Sequence, residues 1–249
     1  MDISSIITII VVLIIILAIF KIFKSVFKTI FLISTLFGIV MLVFMIILYQ
    51  DVADFKTNFP TSEKLFLLER EGGLIAGFSG VLGEEEQPNF VPSAELNSYQ
   101  ISFEADDLEP IKGNYYKLFI VVSETFDEIT SIEFGEEQLS KNFVFDLLDS
   151  QTSIDDYASY YAQSQGISTA AIGEVKSQMR SQFSSDAEFK GALFATLFSA
   201  KTQEDRLFLF KEYKKDNILI YPETMLFRTI KKIPLIFMQR FVKVENGNA

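Results

Sequence analysis

The sequence predicts an α+β chain: an N-terminal transmembrane helical hairpin, then a soluble domain with an antiparallel sheet and a helical C-terminal half. Two observations carry this. Residues 3–20 and 29–49 are uncharged apolar runs. Beyond Pro60 the apolar spacing has a period of two, and after Gly135 a period near that of a helix. Strands followed by helices make an α+β arrangement rather than alternating units.

The two apolar runs span about 27 Å and 31 Å as helices, close to the ~30 Å hydrocarbon core of a bilayer. Neither has a polar face, which is rare for a helix in a soluble domain. The first run has no basic segment before it, and LAIF offers no small-x-small cleavage site, so it reads as a retained helix. Between the runs stand Lys21, Lys24 and Lys28, spaced i, i+3, i+7 on one helical face, with Ile22, Phe23, Val26 and Phe27 on the other. That is an interfacial turn, lysines toward headgroups and rings toward acyl chains. Lys56 is the one base shortly after the second run, so the positive-inside rule puts the lysine turn in the cytoplasm and both chain ends outside. Ser34 and Gly38 form a small-xxx-small pair that lets another helix approach closely, either the first run of the same chain or a second protein.

Residues 51–59 are expected as a mostly polar exit, closed by Pro60, and residues 60–223 as the domain. Lys64–Arg70 and Leu74–Ser79 flank Glu71-Gly72-Gly73, a hairpin signal. Tyr99, Ile101 and Phe103 alternate with polar residues, which predicts a half-buried strand over 99–104. Residues 115–123 are apolar on both faces, the mark of a central strand, and 130–134 predict a fifth. Helices are then marked by Leu139, Phe143 and Leu147; by Tyr157, Tyr160 and Tyr161 behind Ser153 and Asp156; and by Ile172, Val175, Met179 and Phe183. Ser185 and Glu188 make a capping box for the next. Residues 205–214 are ambiguous, and 217–221 form a strand closed by Pro222.

Composition removes much chemistry. With no Cys and no His there is no disulfide, no thiol or imidazole nucleophile and no ordinary zinc site. The glycines at 77, 80 and 83 match neither phosphate-loop spacing, and Ser79 lies in no nucleophile elbow. The acidic clusters at 84–86, 106–109 and 155–156 lack calcium-loop spacing. No catalytic residue, cofactor or metal is therefore predicted. The charge of −11 divides into +2 over residues 1–50, −17 over the middle and +4 over residues 224–249. A stretch at −17 repels phosphate backbones and excludes nucleic acid as a partner.

The basic tail puts Leu226, Ile230 and Ile233 opposite Arg228, Lys231 and Lys232. After Pro234, Phe237, Met238, Phe241 and Val242 stand opposite Arg240 and Lys243. This pattern fits an interfacial membrane helix, or a helix that covers the domain's core while its bases answer the acidic surface.

The order of parts resembles small archaeal two-helix membrane proteins of unknown function, in two apolar helices split by KIFKSVFK, then DVADFKTNFPTSEKLFLLE, and late IYPET. The resemblance implies a membrane protein and no catalytic residues. The expected function is a non-enzymatic, membrane-anchored extracytoplasmic interaction module in contact with lipid and with another membrane or surface protein. An accessory subunit of a channel or transporter is the alternative, and a membrane-tethered hydrolase using carboxylates or a Ser–Lys pair is a third reading.

Overall fold

The computed structural model describes residues 3–81, 88–135, 137–166, 168 and 171–234. It divides into two compact units, Met1–Val52 and Ala53–Ala249. The first is built on helix α1 (Ile3–Asn58), which runs without interruption through Lys21, Lys24 and Lys28. The expected hairpin is corrected here. KIFKSVFK has neither Gly nor Pro, its lysines are good helix formers, and every residue in it continues the i→i−4 ladder. Both apolar runs therefore lie along one helix.

The second unit carries a five-stranded sheet in the order β3-β2-β1-β4-β7. Its strands are β1 (Lys64–Arg70), β2 (Gly73–Gly80), β3 (Asn89–Phe90), β4 (Leu118–Val122) and β7 (Ile218–Tyr221). The predicted β1–β2 hairpin is present. Glu71 and Gly72 take φ of 53° and 83° to close it. β4 is central, as its two apolar faces require. The sheet is mixed, because β1 and β4 pair in parallel, Leu65 beside Leu118 through Glu69 beside Val122. The antiparallel expectation fails because the chain between them holds helices α2 (Ser93–Glu104) and α3 (Glu109–Lys112), the length of connection that parallel pairing needs.

Residues 99–104, expected as a strand, belong to α2. Leu96, Tyr99 and Phe103 are spaced i, i+3, i+7 and pack on the sheet, whereas Ile101 is 71% exposed. The apparent alternation was a partial sampling of helical spacing. β5 (Ser131–Phe134) pairs with β6 (Glu137–Ser140) as a separate hairpin, so Leu139 is a strand residue and not the first mark of a helix. Helices α4 (Lys141–Asp149), α5 (Ser153–Ser164), α6 (Ile172–Gln182), α7 (Asp186–Glu204), α8 (Phe208–Lys214) and α9 (Met225–Lys232) complete the unit. The Ser185 hydroxyl caps α7 by accepting from the Glu188 N–H at 3.2 Å, and Glu188 in turn accepts from the Ser184 N–H at 3.0 Å.

Both sheet faces are covered. One bears Leu65, Leu67, Leu118 and Ile120 under α2 and α3. The other bears Phe66, Phe78 and Phe119 under α7, α8 and α9. Phe66 stacks between Phe78 and Phe119, each ring centroid 4.9 Å away, and Phe198 closes on it at 4.8 Å. Much of the large phenylalanine complement is spent in this layer. Gly77 and Gly191 bring α7 down on β2: a Cβ on Gly191 would stand 2.6 Å from the Gly77 carbonyl oxygen.

Residues 51–59, expected as a polar exit, form the end of α1 and a first turn beyond it. Phe55 meets Phe227 at 5.8 Å and stacks on Phe59 at 4.3 Å, and Phe59 meets Phe119 edge-on. Asp54 accepts the Tyr116 hydroxyl at 2.6 Å. Lys64 and Lys117 are fully buried beside these rings. Their ammonium groups donate to the carbonyls of Ser62 and Pro222, both at 2.6 Å.

Candidate functional site

Three places carry the residues that function can use. The first is α1. Its stretch Val26–Asn58 has a mean hydropathy of 2.9 over its most apolar window, none of which is buried, and it is long and apolar enough to cross a membrane. Lys21, Lys24 and Lys28 are exposed on one helical face, as their spacing requires. Ser34 and Gly38 are exposed too, and a Cβ built on Gly38 meets nothing within 4 Å. Because residues 3–20 extend the same helix, they do not fold onto this pair, and its face stands open to another helix.

The second is α9, where the two readings of the basic tail are tested by geometry. Phe227 is buried and Ile230 is half-buried against the core, so the helix covers the domain. Arg228 pairs with Glu223 at 3.0 Å, and Lys231 with Asp216 at 2.6 Å, its ammonium 4.6 Å from the Tyr213 ring centre. Two of the bases thus answer the domain's own acids. Lys232 is exposed. Phe227, rather than the Leu226, Ile230 and Ile233 stripe, is the deepest anchor. Arg240 and Lys243, with Phe237, Met238, Phe241 and Val242, lie outside the described residues, as do Gly83 and the acids at 84–86.

The third is a pocket of about 400 Å³ between α5, α6 and the β5–β6 hairpin, lined chiefly by Phe134, Tyr157, Tyr161, Met179, Gln182 and Phe183. Gln182 and Phe183 also line a broader groove of about 1130 Å³ that continues along Phe90, Ile132, Ala195 and Ser199. The three tyrosines of α5 differ in burial. Tyr157 is buried against Phe134 and Phe189, and Tyr160 meets Phe143 at 4.2 Å, while Tyr161 stays half-exposed at the pocket wall. Burial, and then the charge of Glu137, push the Tyr157 phenol up to about 12, so it remains a neutral hydrogen-bonding group. Met179 and Phe183 were legible as one helical face, and Tyr157 and Tyr161 as another. That the two faces leave space between them follows only from how α5 and α6 pack.

Elsewhere, Lys190 is held below its usual range by burial, in a polar cleft with Arg180, Ser93 and Ser150. Among the described residues, no three acidic side chains converge as a metal ion requires. No protein family matches the chain, and no curated protein and no solved structure matches it. The class defined by fold and site is an α+β domain carrying a long apolar helix.

Proposed function

We propose that the chain is a membrane-anchored interaction module, non-enzymatic, with residues 29–49 as its span and the acidic domain outside the cytoplasm. The observation that carries this is the apolar window within Val26–Asn58, none of it buried, on a chain whose other unit fills its own core. Lipid is the medium that removes such a surface from water. Lys21, Lys24 and Lys28 precede the span and Lys56 follows it, which favours the lysine side as cytoplasmic. In this reading residues 3–20, which continue the same helix, remain on the lysine side. The partner surface in this reading is the groove running from Tyr161 and Met179 past Phe183, an apolar lining set in an acidic domain.

Because the chain has no cysteine, single cysteines report position without background. On intact cells, an impermeant maleimide should label the Gln163→Cys variant. Labelling only after lysis sinks the orientation. The Asp2→Cys variant is labelled on intact cells if residues 3–20 cross, and is protected if they do not. For the partner, proteins recovered in mild detergent should fall away with Met179→Asp and persist with Ile101→Asp. An unchanged set in both removes the groove from the reading.

The alternative, an accessory subunit of a channel or transporter, draws on the open Ser34–Gly38 face. Gly38→Leu should then release a membrane-embedded partner while Met179→Asp does not.

A further inference from the structure

The pocket between α5, α6 and the β5–β6 hairpin carries more chemistry than an apolar recess needs. Its wall holds four rings, Phe134, Tyr157, Tyr161 and Phe183, together with Val175 and Met179. The rings are fixed in place. Phe134 meets Tyr157 edge-on at 5.6 Å, and buried Phe189 backs Tyr157 at 5.4 Å and Phe183 at 5.3 Å. Among the described residues, no charged side chain lines the pocket. Aromatic rings attract cations through the negative charge of their faces, so such a wall draws a cation without offering it an ion pair.

Two further observations bear on what enters. Tyr157 is 5% exposed, and its hydroxyl has no hydrogen-bond partner among the described residues. The one fully enclosed side-chain atom there that lacks a hydrogen bond is a guanidinium nitrogen of Arg70, so the Tyr157 oxygen opens into the pocket it lines. Burial, and then the charge of Glu137, keep that phenol protonated, which makes it a donor in want of an acceptor. The second observation is Glu137 itself. Its carboxylate accepts from the Ser164 hydroxyl at 3.3 Å and from the Gln165 amide, and it stands close enough to Tyr157 to act on its phenol. A negative charge here, in an acidic domain, repels phosphates and carboxylates and favours a cation.

The kind of cation follows from its N–H groups. A primary ammonium or a guanidinium brings several N–H donors, each costly to bury without an acceptor. The wall offers rings, a thioether and an isopropyl group, while the Gln178 and Gln182 amides belong to exposed residues. A quaternary ammonium has no N–H to satisfy and suits an aromatic wall. The Tyr157 hydroxyl then calls for an oxygen close to the ammonium, and Glu137 disfavours a negatively charged one.

We infer that this pocket binds a choline-type cation, its trimethylammonium group among the four rings and its neutral hydroxyl oxygen accepting from Tyr157. The inference rests on the reading of the groove as the chain's recognition surface, and it gives the pocket end of that groove a ligand. The ligand is free choline and not a phosphate-linked headgroup, whose charge Glu137 repels.

Calorimetry of the full chain in nanodiscs of phosphatidylglycerol, a lipid without choline, tests this. Choline should bind and should shift the Met179 methyl resonance. Dimethylbutanol, its uncharged carbon isostere, should bind about tenfold more weakly. Glu137→Gln should weaken choline and leave the isostere unchanged. Tyr157→Phe keeps the ring and removes only the hydroxyl. It should weaken choline about fivefold but not tetramethylammonium, which has no oxygen. Absence of choline binding overturns the inference, and so does an isostere that binds as well as choline. Phosphocholine binding more tightly than choline overturns it too. Recovery of partners in mild detergent keeps the two readings apart. No choline binding, while Met179→Asp still releases partners, removes the ligand and keeps the groove. No choline binding with an unchanged partner set removes both.

Discussion

Glu223 shows how one carboxylate fastens the last helix. It accepts from the buried Tyr213 hydroxyl at 2.5 Å and from Arg228 at 3.0 Å, joining α8 to α9 across β7. The hydrogen bond from Tyr213 is the chief reason that its carboxyl lies below its ordinary value, with Arg228 and Lys231 adding to the effect. The same pairing, after burial, drives the Tyr213 phenol upward. A carboxyl whose folded value is depressed stabilises the fold fully above its unfolded value. That contribution is lost as pH falls through the folded value. Glu223→Gln should therefore lower the melting temperature at pH 7, and the gap from wild type should close as the pH is brought below about 4. A gap that is the same at pH 7 and pH 3 would mean that the carboxylate's charge is not what holds α9.

At the scale of elements, α9 is held by its apolar side more than by its bases. Phe227 is 1% exposed and packs edge-on to Phe55 and Tyr213. Phe227→Ala should cost about 3–5 kcal/mol, read from urea unfolding of the domain. Changing exposed Lys232 to Gln should cost under about 0.5 kcal/mol. Equal losses in the two variants would contradict the helix as a lid on the core. The sequence let much of this layer be read. Residues 64–70, 115–123 and 217–221 announced their strands by runs of Leu, Ile, Val and Phe, and Ser185 with Glu188 announced a helix start. What stayed hidden has physical causes. In α2, Tyr99, Ile101 and Phe103 alternate only because a helix of that length presents both a buried and an exposed apolar residue. Parallel pairing of β1 with β4 depends on where a long connection returns, which no local pattern encodes. The aromatic pocket exists because α5 and α6 do not close on each other, although each of its side chains was visible as part of a helical face.

For the whole molecule, the boundary between the units matters for any isolated domain. A fragment beginning at Thr61 keeps every strand but loses Phe55 and Phe59, whose rings pack on Phe119, Phe210 and Phe227. It also loses the Asp54–Tyr116 hydrogen bond. A fragment beginning at Ala53 keeps them. The longer fragment should be the more stable by about 2–4 kcal/mol in urea unfolding. Identical midpoints would show that the end of α1 adds nothing to the fold. The apolar runs of α1 were plain from residue 3 to residue 49. The absence of a bend between them was not, because a lysine-rich segment serves equally as a helix and as an interfacial turn.

The place of β7 in the sheet also sets the timing of synthesis. β4 has β1 on one side and can complete its ladder on the other only when Ile218–Tyr221 arrive, about a hundred residues later in the chain. Ile218 and Ile220 enter the main core, and Phe227 seals it, so the domain has no finished interior until these residues have been synthesised. The long apolar helix, by contrast, is complete about 150 residues before β7 is made. A nascent chain is therefore committed at its front end long before its back end can fold. In that interval β4 keeps an unpaired edge, and a chain that stops before residue 218 never covers it with β7.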